Sequence, residues 1–248
     1  MVATDTNRAW WSQAIFIGAL VAAVLLPVGA LGSRLGIWSF MTGFLFLGAG
    51  AVLATIGLVG GIAGAIVAAR GGRTADRAPV LVGAVICAVI LGFLGAQFNT
   101  ARSVPPIHNI STDVDDPPEF DQVIALRGDT SNPLAYDKDA LAAAQQAAYP
   151  WVVPLDLADP PEAVFDRALG VLKGLSLEVV NADREAMRIE AVATTFWFGF
   201  RDDVVVRIRP GAAGGSRVDV RSVSRVGQSD LGANAARIGK ILEGLKGA

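Results

Sequence analysis

Three long stretches without a charged side chain constrain the fold of this chain more than any other feature. Residues 9–33, 35–69 and 78–101 contain no Asp, Glu, Lys or Arg. Each is long enough to cross the hydrocarbon core of a bilayer, which takes about 20 apolar residues in a helix. A chain of 248 residues has too little interior to bury all three in a soluble core. The sequence therefore predicts three transmembrane helices, within a membrane anchor that spans residues 1–101.

The loops between these stretches predict an orientation. The second loop carries Arg70, Arg73 and Arg77, whereas the first carries only Arg34. Arginine-rich loops stay in the cytoplasm according to the positive-inside rule. Three crossings then leave the N-terminus in the cytoplasm and residues 102–248 outside. We predict a protein of the bacterial inner (plasma) membrane whose C-terminal domain is periplasmic or extracellular.

The composition of the predicted spans bears on transport and on partners. None of them contains an ionisable residue of the kind that marks proton or ion pathways, which argues against an ion-coupled transporter. Gly57, Gly60, Gly61 and Gly64 form two overlapping G-x-x-x-G patterns, which let helix backbones approach closely. These glycines predict packing within the chain's own three-helix bundle or against a partner protein. Membrane lipid is the other expected partner.

Residues 102–148 contain the run PPIHNISTDVDDPPEF near their start and show no hydrophobic periodicity. This composition predicts an extended, acidic, proline-rich tether. Five carboxylates lie between Asp113 and Asp121. The central glycine and distal glutamate of a calcium-binding loop are missing from this run. His108 is the only histidine in the chain. We therefore predict neither a metal site nor a cofactor.

Residues 149–248 show the pattern of an α+β domain. The alternating run YPWVVPLDL predicts a strand, and DPPEAVFDRALGVLKGL predicts a helix with one apolar stripe. Four strand-like runs and a final amphipathic helix follow. The predicted order is strand, helix, four strands, helix. It indicates an antiparallel sheet of about five strands with the helices on one face.

Alternation in the last two strands predicts one apolar and one charged face, as in a half-solvated sheet. Asp203, Arg207, Arg209, Arg221 and Arg225 share the charged face. Exposed Arg–Asp pairs contribute only about 0–1 kcal/mol each, so stability alone gives little reason to gather four arginines there. Arginine suits phosphate and carboxylate groups. We predict that this face docks either an anionic ligand or the acidic segment 113–121.

The run RSVSRVGQSDLGANAARI, residues 221–238, has a structural and a chemical interpretation. Structurally, Ser229 or Asp230 begins the last helix as an N-cap, and Asn234 ties that cap to the sheet. A hydrolase would need a base beside Ser229, and the sequence has no G-x-S-x-G elbow and no nearby histidine. We therefore predict no catalytic residue. Ser229, Asp230 and Asn234 join the charged-face residues as candidate ligand-binding residues.

Three motifs in order, PPIHNISTD, FWFGFRDDVVVRIRP and RVDVRSVSRVGQSDLGANAARI, resemble the family called domain of unknown function 1499. The resemblance covers about residues 103–247, and the N-terminal spans resemble the family's membrane-attached members. Because the family has no established activity, the resemblance implies a domain unit and no catalytic residue. The signature that it implies comprises Asp202, Asp203, Arg207, Arg221, Ser222, Ser224, Arg225, Gly227, Ser229, Asp230 and Asn234.

Two functions follow from these observations. The one we favour is a non-enzymatic, membrane-anchored binding or assembly module outside the cytoplasm. The alternative is an extracytoplasmic enzyme acting on an anionic lipid or envelope precursor, with the arginines and Asp202, Asp203 or Asp230 in its site. Nucleic acid is not an expected partner, because the predicted outside domain is acidic in total.

The predicted orientation is tested by reporter fusions. A reporter that is active only outside the cytoplasm should be active when fused after residue 248. It should be silent when inserted within residues 71–76, because the Arg-rich loop stays inside. The reverse pattern of activity would place the C-terminal domain in the cytoplasm.

Overall fold

The computed structural model describes residues 8–212 and 214–247. It divides into two compact units, one of Met1–Asn99 with Phe196–Gly199 and one of Thr100–Thr195 with Phe200–Ala248.

The first unit consists chiefly of helices α1 (Trp10–Arg34), α2 (Phe40–Arg70) and α3 (Thr74–Ser103). All three are long and apolar enough to cross a membrane, as judged by length and composition. Helix α3 runs on past its apolar core to Ser103. Small residues such as Ala22 and Ala54 are buried between helices, while large ones such as Val59 are exposed. Small residues inside and large apolar ones outside are typical of helices that pack in lipid.

The glycine patterns of α2 lie against the other two helices of the bundle. A Cβ atom on Gly57 would lie 2.6 Å from the sulfur of Cys87, and one on Gly61 would lie 2.7 Å from the Cβ of Ala84. At Gly64 it would lie 2.8 Å from the ring of Trp11. These positions therefore serve close packing inside this chain.

The second unit contains a six-stranded antiparallel sheet of order β1-β6-β5-β4-β3, with β2 also paired to β6. The predicted order of strand, helix, four strands and helix is confirmed as β2, α5, β3 to β6 and α6. The sixth strand, β1, has three residues and is too short to show periodicity. The strands are β1 (Asn109–Ser111), β2 (Leu155–Leu157), β3 (Glu178–Asp183), β4 (Arg188–Thr194), β5 (Arg201–Pro210) and β6 (Ser216–Ser224). The helices are α4 (Lys138–Ala148), α5 (Pro161–Gly174) and α6 (Ala233–Lys246).

The main core lies between the apolar face of the sheet and helices α5 and α6. Val206 and Val220 of the central strands are fully buried together with Phe165 and Leu172 of α5 and Ile238 of α6. Burying one such side chain contributes roughly 1.5–3 kcal/mol. The helices thus cover one face of the sheet, as the apolar stripes predict.

The opposite face of the sheet is not exposed to solvent. Residues 112–137, here called the covering segment, lie across strands β4, β5 and β6. Phe120 and Val123 of this segment pack on Val192, Val205 and Val223 in a second, smaller core. The sequence predicts a half-solvated face because alternation identifies the charged side of a sheet but not what covers it.

Residues 102–148 also contain more regular structure than an extended tether. They hold β1, a 3-10 turn at Gln122–Leu126 and helix α4. Glu190 of β4 accepts hydrogen bonds from the backbone N–H groups of Asp121 and Gln122 at 2.7 and 2.9 Å. This buried carboxylate therefore fixes the start of the 3-10 turn on the sheet.

Removing the aromatic ring of Phe120 should loosen the covering segment. Phe120→Ala deletes a side chain at the centre of the small core, where such truncations typically cost about 3–5 kcal/mol when the site is fully buried. We expect faster proteolysis within residues 112–137 in the full chain. Ile124→Ala, in the 3-10 turn that follows Phe120 but half exposed, is the matched control and should leave the rate near that of the wild type. Equal rates in all three proteins would show that Phe120 does not hold the segment.

Candidate functional site on the covered face

The charged face beneath the covering segment, here called the covered face, is organised by the register of three strands. Arg207 of β5 lies opposite Arg188 of β4 and Asp219 of β6. Val205 lies opposite Arg221 in the next row that faces the same way. The sequence places the arginines on one face but leaves this register open. It decides which carboxylate each arginine meets.

A buried carboxylate lies at one end of the covered face. Asp203 is fully buried. Arg225 donates to it from Nε and Nη2 at 3.0 and 2.7 Å, and Arg127 of the covering segment donates to its other oxygen. The two arginines also donate to the carbonyls of Leu126 and Asn132. One carboxylate thus joins the sheet to the segment through two guanidinium groups.

A second ionic cluster lies toward the other end. Arg207 and Arg209 donate to one oxygen of buried Asp219 at 3.1 and 2.7 Å. They also reach the acidic part of the covering segment, since Arg209 contacts Asp116 at 2.8 Å and Asp113 at 3.3 Å. The acidic segment therefore lies on these two arginines. The other oxygen of Asp219 is buried and has no hydrogen-bond partner within the described residues.

The pKa values of this cluster follow from the same contacts. Burial acts to raise the pKa of Asp113, but the N–H groups of Asp116 and Asp115 and the side chain of Arg209 outweigh it and lower the pKa. Burial acts to lower the pKa of Arg209, but Asp219 and the acidic segment outweigh it and raise the pKa. The charged forms of both groups are therefore favoured in the folded protein.

Arg221, between the two clusters, differs from the other arginines of the face. It is 4% exposed and its three hydrogen bonds go to neutral oxygens. They are Asn109 Oδ1 at 3.0 Å, the carbonyl of Pro118 at 3.1 Å and the carbonyl of Leu134. Burial lowers its pKa to about 10, so it remains charged at neutral pH. Among the described residues it takes part in no ion pair.

A cavity of about 370 Å³ opens beside Arg221. The guanidinium carbon lies 5.3 Å from the ring centre of Phe120 and 5.7 Å from that of Tyr136. Burial raises the pKa of Tyr136 to about 12, which keeps its hydroxyl protonated. The volume is at the small end of the range for small-molecule sites. The lining residues are Pro117, Glu119, Phe120, Ile124, Leu134, Ala135, Tyr136 and Arg221.

A second cleft, of about 410 Å³, is lined by Asp116, Glu119, Ala186, Arg188 and Arg207. Arg188 pairs with Asp121 at 2.9 Å, and its Nε is buried without a partner within the described residues. Because acidic and basic groups alternate around this cleft, its charges balance one another. Within residues 8–212 and 214–247, no group of three or more His, Cys, Asp or Glu side chains has the geometry to hold a metal ion.

Asp230 and Asn234 lie on the other side of the sheet, beneath helix α6. The N-cap of α6 is Gly232, so the prediction that Ser229 or Asp230 is the N-cap is wrong. Asp230, two residues earlier, still accepts from the backbone N–H groups of Gly232 and Asn234, both at 2.8 Å. Ser229 has a weaker role and accepts from the N–H of Leu231 at 3.3 Å. Burial raises the pKa of Asp230 against the effect of these hydrogen bonds.

The side chain of Asn234 connects α6 to two strands. It accepts from Ser222 at 2.7 Å and donates to Ser224 at 2.9 Å and to the carbonyl of His108 at 3.0 Å. Arg237 donates to the same Asn234 oxygen at 2.5 Å and to Asp202 at 2.6 Å. This network is fully bonded and ties the helix to the sheet.

The structure therefore separates the candidate ligand-binding residues into two groups. Arg207, Arg209, Arg221, Arg225 and Asp203 lie on the covered face. Ser229, Asp230 and Asn234 lie on the side of the sheet that faces α6. Asn234 bonds there to Ser222 and Ser224 of β6, which alternate with Arg221 and Arg225 and therefore face the opposite way. The two groups do not line one site. Neither of the two cavities is lined by a residue of the second group.

Sequence reasoning missed several residues that build the covered face. Arg127 and Asn132 lie in a stretch without periodicity, and Asn109 lies in a strand of three residues. Glu190 and Arg188 belong to a predicted strand, but their partners lie in the covering segment. One feature of the sequence could have indicated a role for Arg127. Residues 102–166 contain 12 acidic and only 3 basic side chains, and Arg127 is one of the three.

Comparison with known proteins finds a family model described as "Protein of unknown function (DUF1499)", which matches residues 109–245. The match begins at β1 and ends in α6, so it includes the covering segment and both groups of candidate residues. The three apolar helices lie outside it. No curated protein matches the chain.

The contact between Asp113 and Arg209 predicts a pH dependence of stability. The pKa of Asp113 lies below its ordinary value of 3.8 in the folded protein. The contribution of the Asp113 carboxylate to the free energy of unfolding is therefore fully present above pH 3.8. It is lost as the pH falls through the lower pKa of the folded state. Asp113→Asn should lower the urea midpoint at pH 7, and the difference from wild type should shrink in strong acid.

The matched control for this experiment is Asp115→Asn. Asp115 pairs with Lys138 at 2.5 Å, but both side chains are well exposed. Exposed pairs contribute about 0–1 kcal/mol, so this variant should differ little from wild type at either pH. A deficit of Asp113→Asn that stayed constant from pH 7 into acid would refute the proposed ionic contribution.

Proposed function

This chain belongs to the DUF1499 family of proteins of unknown function, and we propose from the geometry of its covered face that it is a membrane-anchored, non-enzymatic binding module. Its ligand in this proposal is a small anion with an apolar body, held in the cavity beside Arg221. The three apolar helices anchor the module. The Arg-rich loop at residues 70–77 supports a domain on the outer side of the bacterial plasma membrane.

The observation that carries the proposal is the contrast between Arg221 and its neighbours. Arg207, Arg209 and Arg225 each contact a carboxylate. Their contacts with carboxylates explain the presence of these three arginines, because they help to join the covering segment to the sheet. Arg221 is the most buried of the four and is bonded only to neutral oxygens. A buried charge is costly unless it is paired, so an anion in the adjacent cavity would be favoured.

The donors of Arg221 suit an acidic head group. A guanidinium group has five N–H donors, and the three protein hydrogen bonds leave one on Nη1 and one on Nη2. Glu119 lines the same cavity and acts to raise the pKa of Arg221, so its carboxylate offsets part of the arginine's charge and disfavours each further negative charge on a ligand. A carboxylate or another monoanion therefore fits better than a ligand with several charges.

The walls of the cavity suit an apolar body. Phe120, Ile124, Leu134 and Tyr136 supply aromatic and aliphatic surface, and the volume of about 370 Å³ limits the ligand to a small molecule. One charged group among apolar walls is the usual composition of such a pocket, where polar contacts orient the ligand and apolar contacts add affinity.

One observation favours the alternative, an extracytoplasmic enzyme acting on an anionic lipid or envelope precursor. The pKa of Asp230 is raised, as in many catalytic acids. However, both oxygens of Asp230 accept backbone N–H groups of α6, and Asp202 and Asp203 are each bonded to arginine. The binding proposal accounts for all three carboxylates without asking them to transfer protons.

The proposal is tested by calorimetric titration of the purified full chain with phenylbutanoate and with phenylbutanol. The two probes share an apolar body, and only the first has a charge. We expect the acid to bind at least about tenfold more tightly than the alcohol, a difference of about 1.4 kcal/mol. Equal binding of the two, or no binding of the acid, would contradict the proposed ligand class.

Three variants connect that binding to the cavity. Arg221→Met should abolish the preference for the acid, because it removes the charge while keeping much of the side-chain length. Ile124→Trp should weaken both probes by filling the cavity from a half-exposed position, with little risk to folding. Arg217→Met, the matched control, removes a partly exposed arginine of β6 that does not line the cavity and whose partner Asp156 lies 3.9 Å away, and it should bind like the wild type. Wild-type affinity in both cavity variants would place the binding elsewhere.

A further inference from the structure

We propose that Phe196–Gly199, here called the aromatic segment, is a lipid-binding element that inserts into the interfacial region of the bilayer. It lies in the motif FWFGF between β4 and β5, and the proposed anion site does not use it. The proposal rests on membrane anchoring by the three helices and is independent of the cavity at Arg221.

The aromatic segment belongs to the helical unit rather than to the sheet unit. Arg34, the last residue of α1, donates from Nη1 to the carbonyl of Phe196 at 2.5 Å. The ring of Phe198 packs on the ring of Phe44 in α2, with 5.1 Å between their centres. The segment is thus bound to the ends of α1 and α2 that their connecting loop joins.

Two glycines make room for this contact. A Cβ atom on Gly43 would lie 2.8 Å from the ring of Phe198, so a larger residue at this position of α2 would displace the ring. Gly199 has φ +68 and packs against Arg34, where a Cβ atom would lie 3.2 Å from the Arg34 Cα. The sequence therefore provides a seat on α2 and a turn that a residue with a side chain would adopt only with strain.

The two ends of the aromatic segment are held close together. The backbone N–H of Thr195 donates to the carbonyl of Phe200 at 2.8 Å. The N–H of Phe200 donates to the hydroxyl oxygen of Thr195 at 2.9 Å. The four residues between them therefore form a closed loop whose shape is set at both ends and by the seat of Phe198.

This loop leaves two large aromatic rings uncovered by protein. Phe196 is 68% exposed and Trp197 is 52% exposed. The rings touch edge to face, with 5.2 Å between their centres. The guanidinium of Arg34 also lies over the ring of Phe196, 5.5 Å from its centre. A fixed pair of exposed aromatics beside a cation is a surface that water solvates poorly.

The surroundings favour lipid as the occupant of this surface. The loop between α1 and α2 contains Trp38, and Phe40 begins α2; the loop joins two helices that are apolar enough to cross a membrane. Trp and other aromatic residues, with arginine beside them, are enriched where such helices meet the head groups. Phe196 and Trp197 extend this aromatic girdle beyond the helices themselves.

The topology of an anchored chain agrees with this placement. With three crossings, the C-terminal ends of α1 and α3 lie on the same side of the bilayer. The aromatic segment follows α3 in the chain and binds the C-terminal end of α1. In this topology the aromatic segment, as part of the helical unit, lies at the outer end of α1.

The proposal is tested by fluorescence quenching of Trp197 in the full chain reconstituted in phosphatidylcholine vesicles. Emission of the wild type minus that of Trp197→Phe isolates Trp197. We expect this emission to fall at least twofold when the acyl chains are brominated and to change little when iodide is present on both sides. Trp151→Phe gives the matched reference, because Trp151 is similarly exposed, at 48%, but belongs to the other unit. The emission of Trp151 should respond to iodide and not to brominated lipid.

Two other outcomes would overturn the proposal. Quenching of Trp197 by iodide alone would show that its ring faces water. Protection from both quenchers would show that protein covers it, and the occupant would then be a second copy of the chain or another protein.

Discussion

The buried carboxylate of Asp203 is the interaction on which the architecture of the C-terminal domain depends. It lies on β5, and it is contacted by Arg225 just after β6 and by Arg127 in the covering segment. If Asp203 were replaced by a neutral residue, the charges of Arg127 and Arg225 would be left buried without compensation, and breaking a buried pair in this way typically costs about 3–5 kcal/mol. The sheet and the segment are therefore interdependent. The cavity beside Arg221 exists only while they remain together, because both contribute to its walls.

The covered face shows how like charges can be gathered without instability. The covering segment is acidic and the strands beneath it are rich in arginine, so each supplies what the other lacks. Asp219 on β6 and Asp116 in the segment contact the same two arginines from opposite sides. At both ends of the covered face, the arginines therefore contact carboxylates of the sheet or of the covering segment. Arg221 in the middle is the exception, and a search for a ligand therefore begins there.

Much of the architecture was predictable because it depends on periodicity. Three charge-free stretches identify the helices, and alternation in β5 and β6 assigns each side chain to a face. Capping rules place a polar residue near the start of α6, and Asp230 does accept from the N–H groups of Gly232 and Asn234, although the N-cap is Gly232 rather than Asp230. These features are local, so a short window of sequence contains them.

What could not be predicted depends on contacts between distant residues. The segment over the sheet has no period, and its apolar residues Phe120, Val123 and Leu134 are spaced irregularly because they fit a surface made by three strands. Parity in β6 places Arg221 on the face opposite Ser222 and Ser224, the two serines to which Asn234 of α6 is bonded. The different roles of Arg221 and Asn234 depend on what lies above each face. Arg127 contacts a carboxylate 76 positions away, which no local pattern records.

The order of these elements along the chain has a consequence for synthesis. The covering segment is synthesised before any of the strands that it covers. The hydrogen bond between Asn109 and Arg221 joins residues that are 112 positions apart in the chain. Contacts of such long range form slowly, because the intervening chain must be ordered first. During synthesis, the acidic segment therefore emerges before the strands on which it docks. Completion of β6, near the end of the polypeptide, decides when the first residues of the domain become ordered.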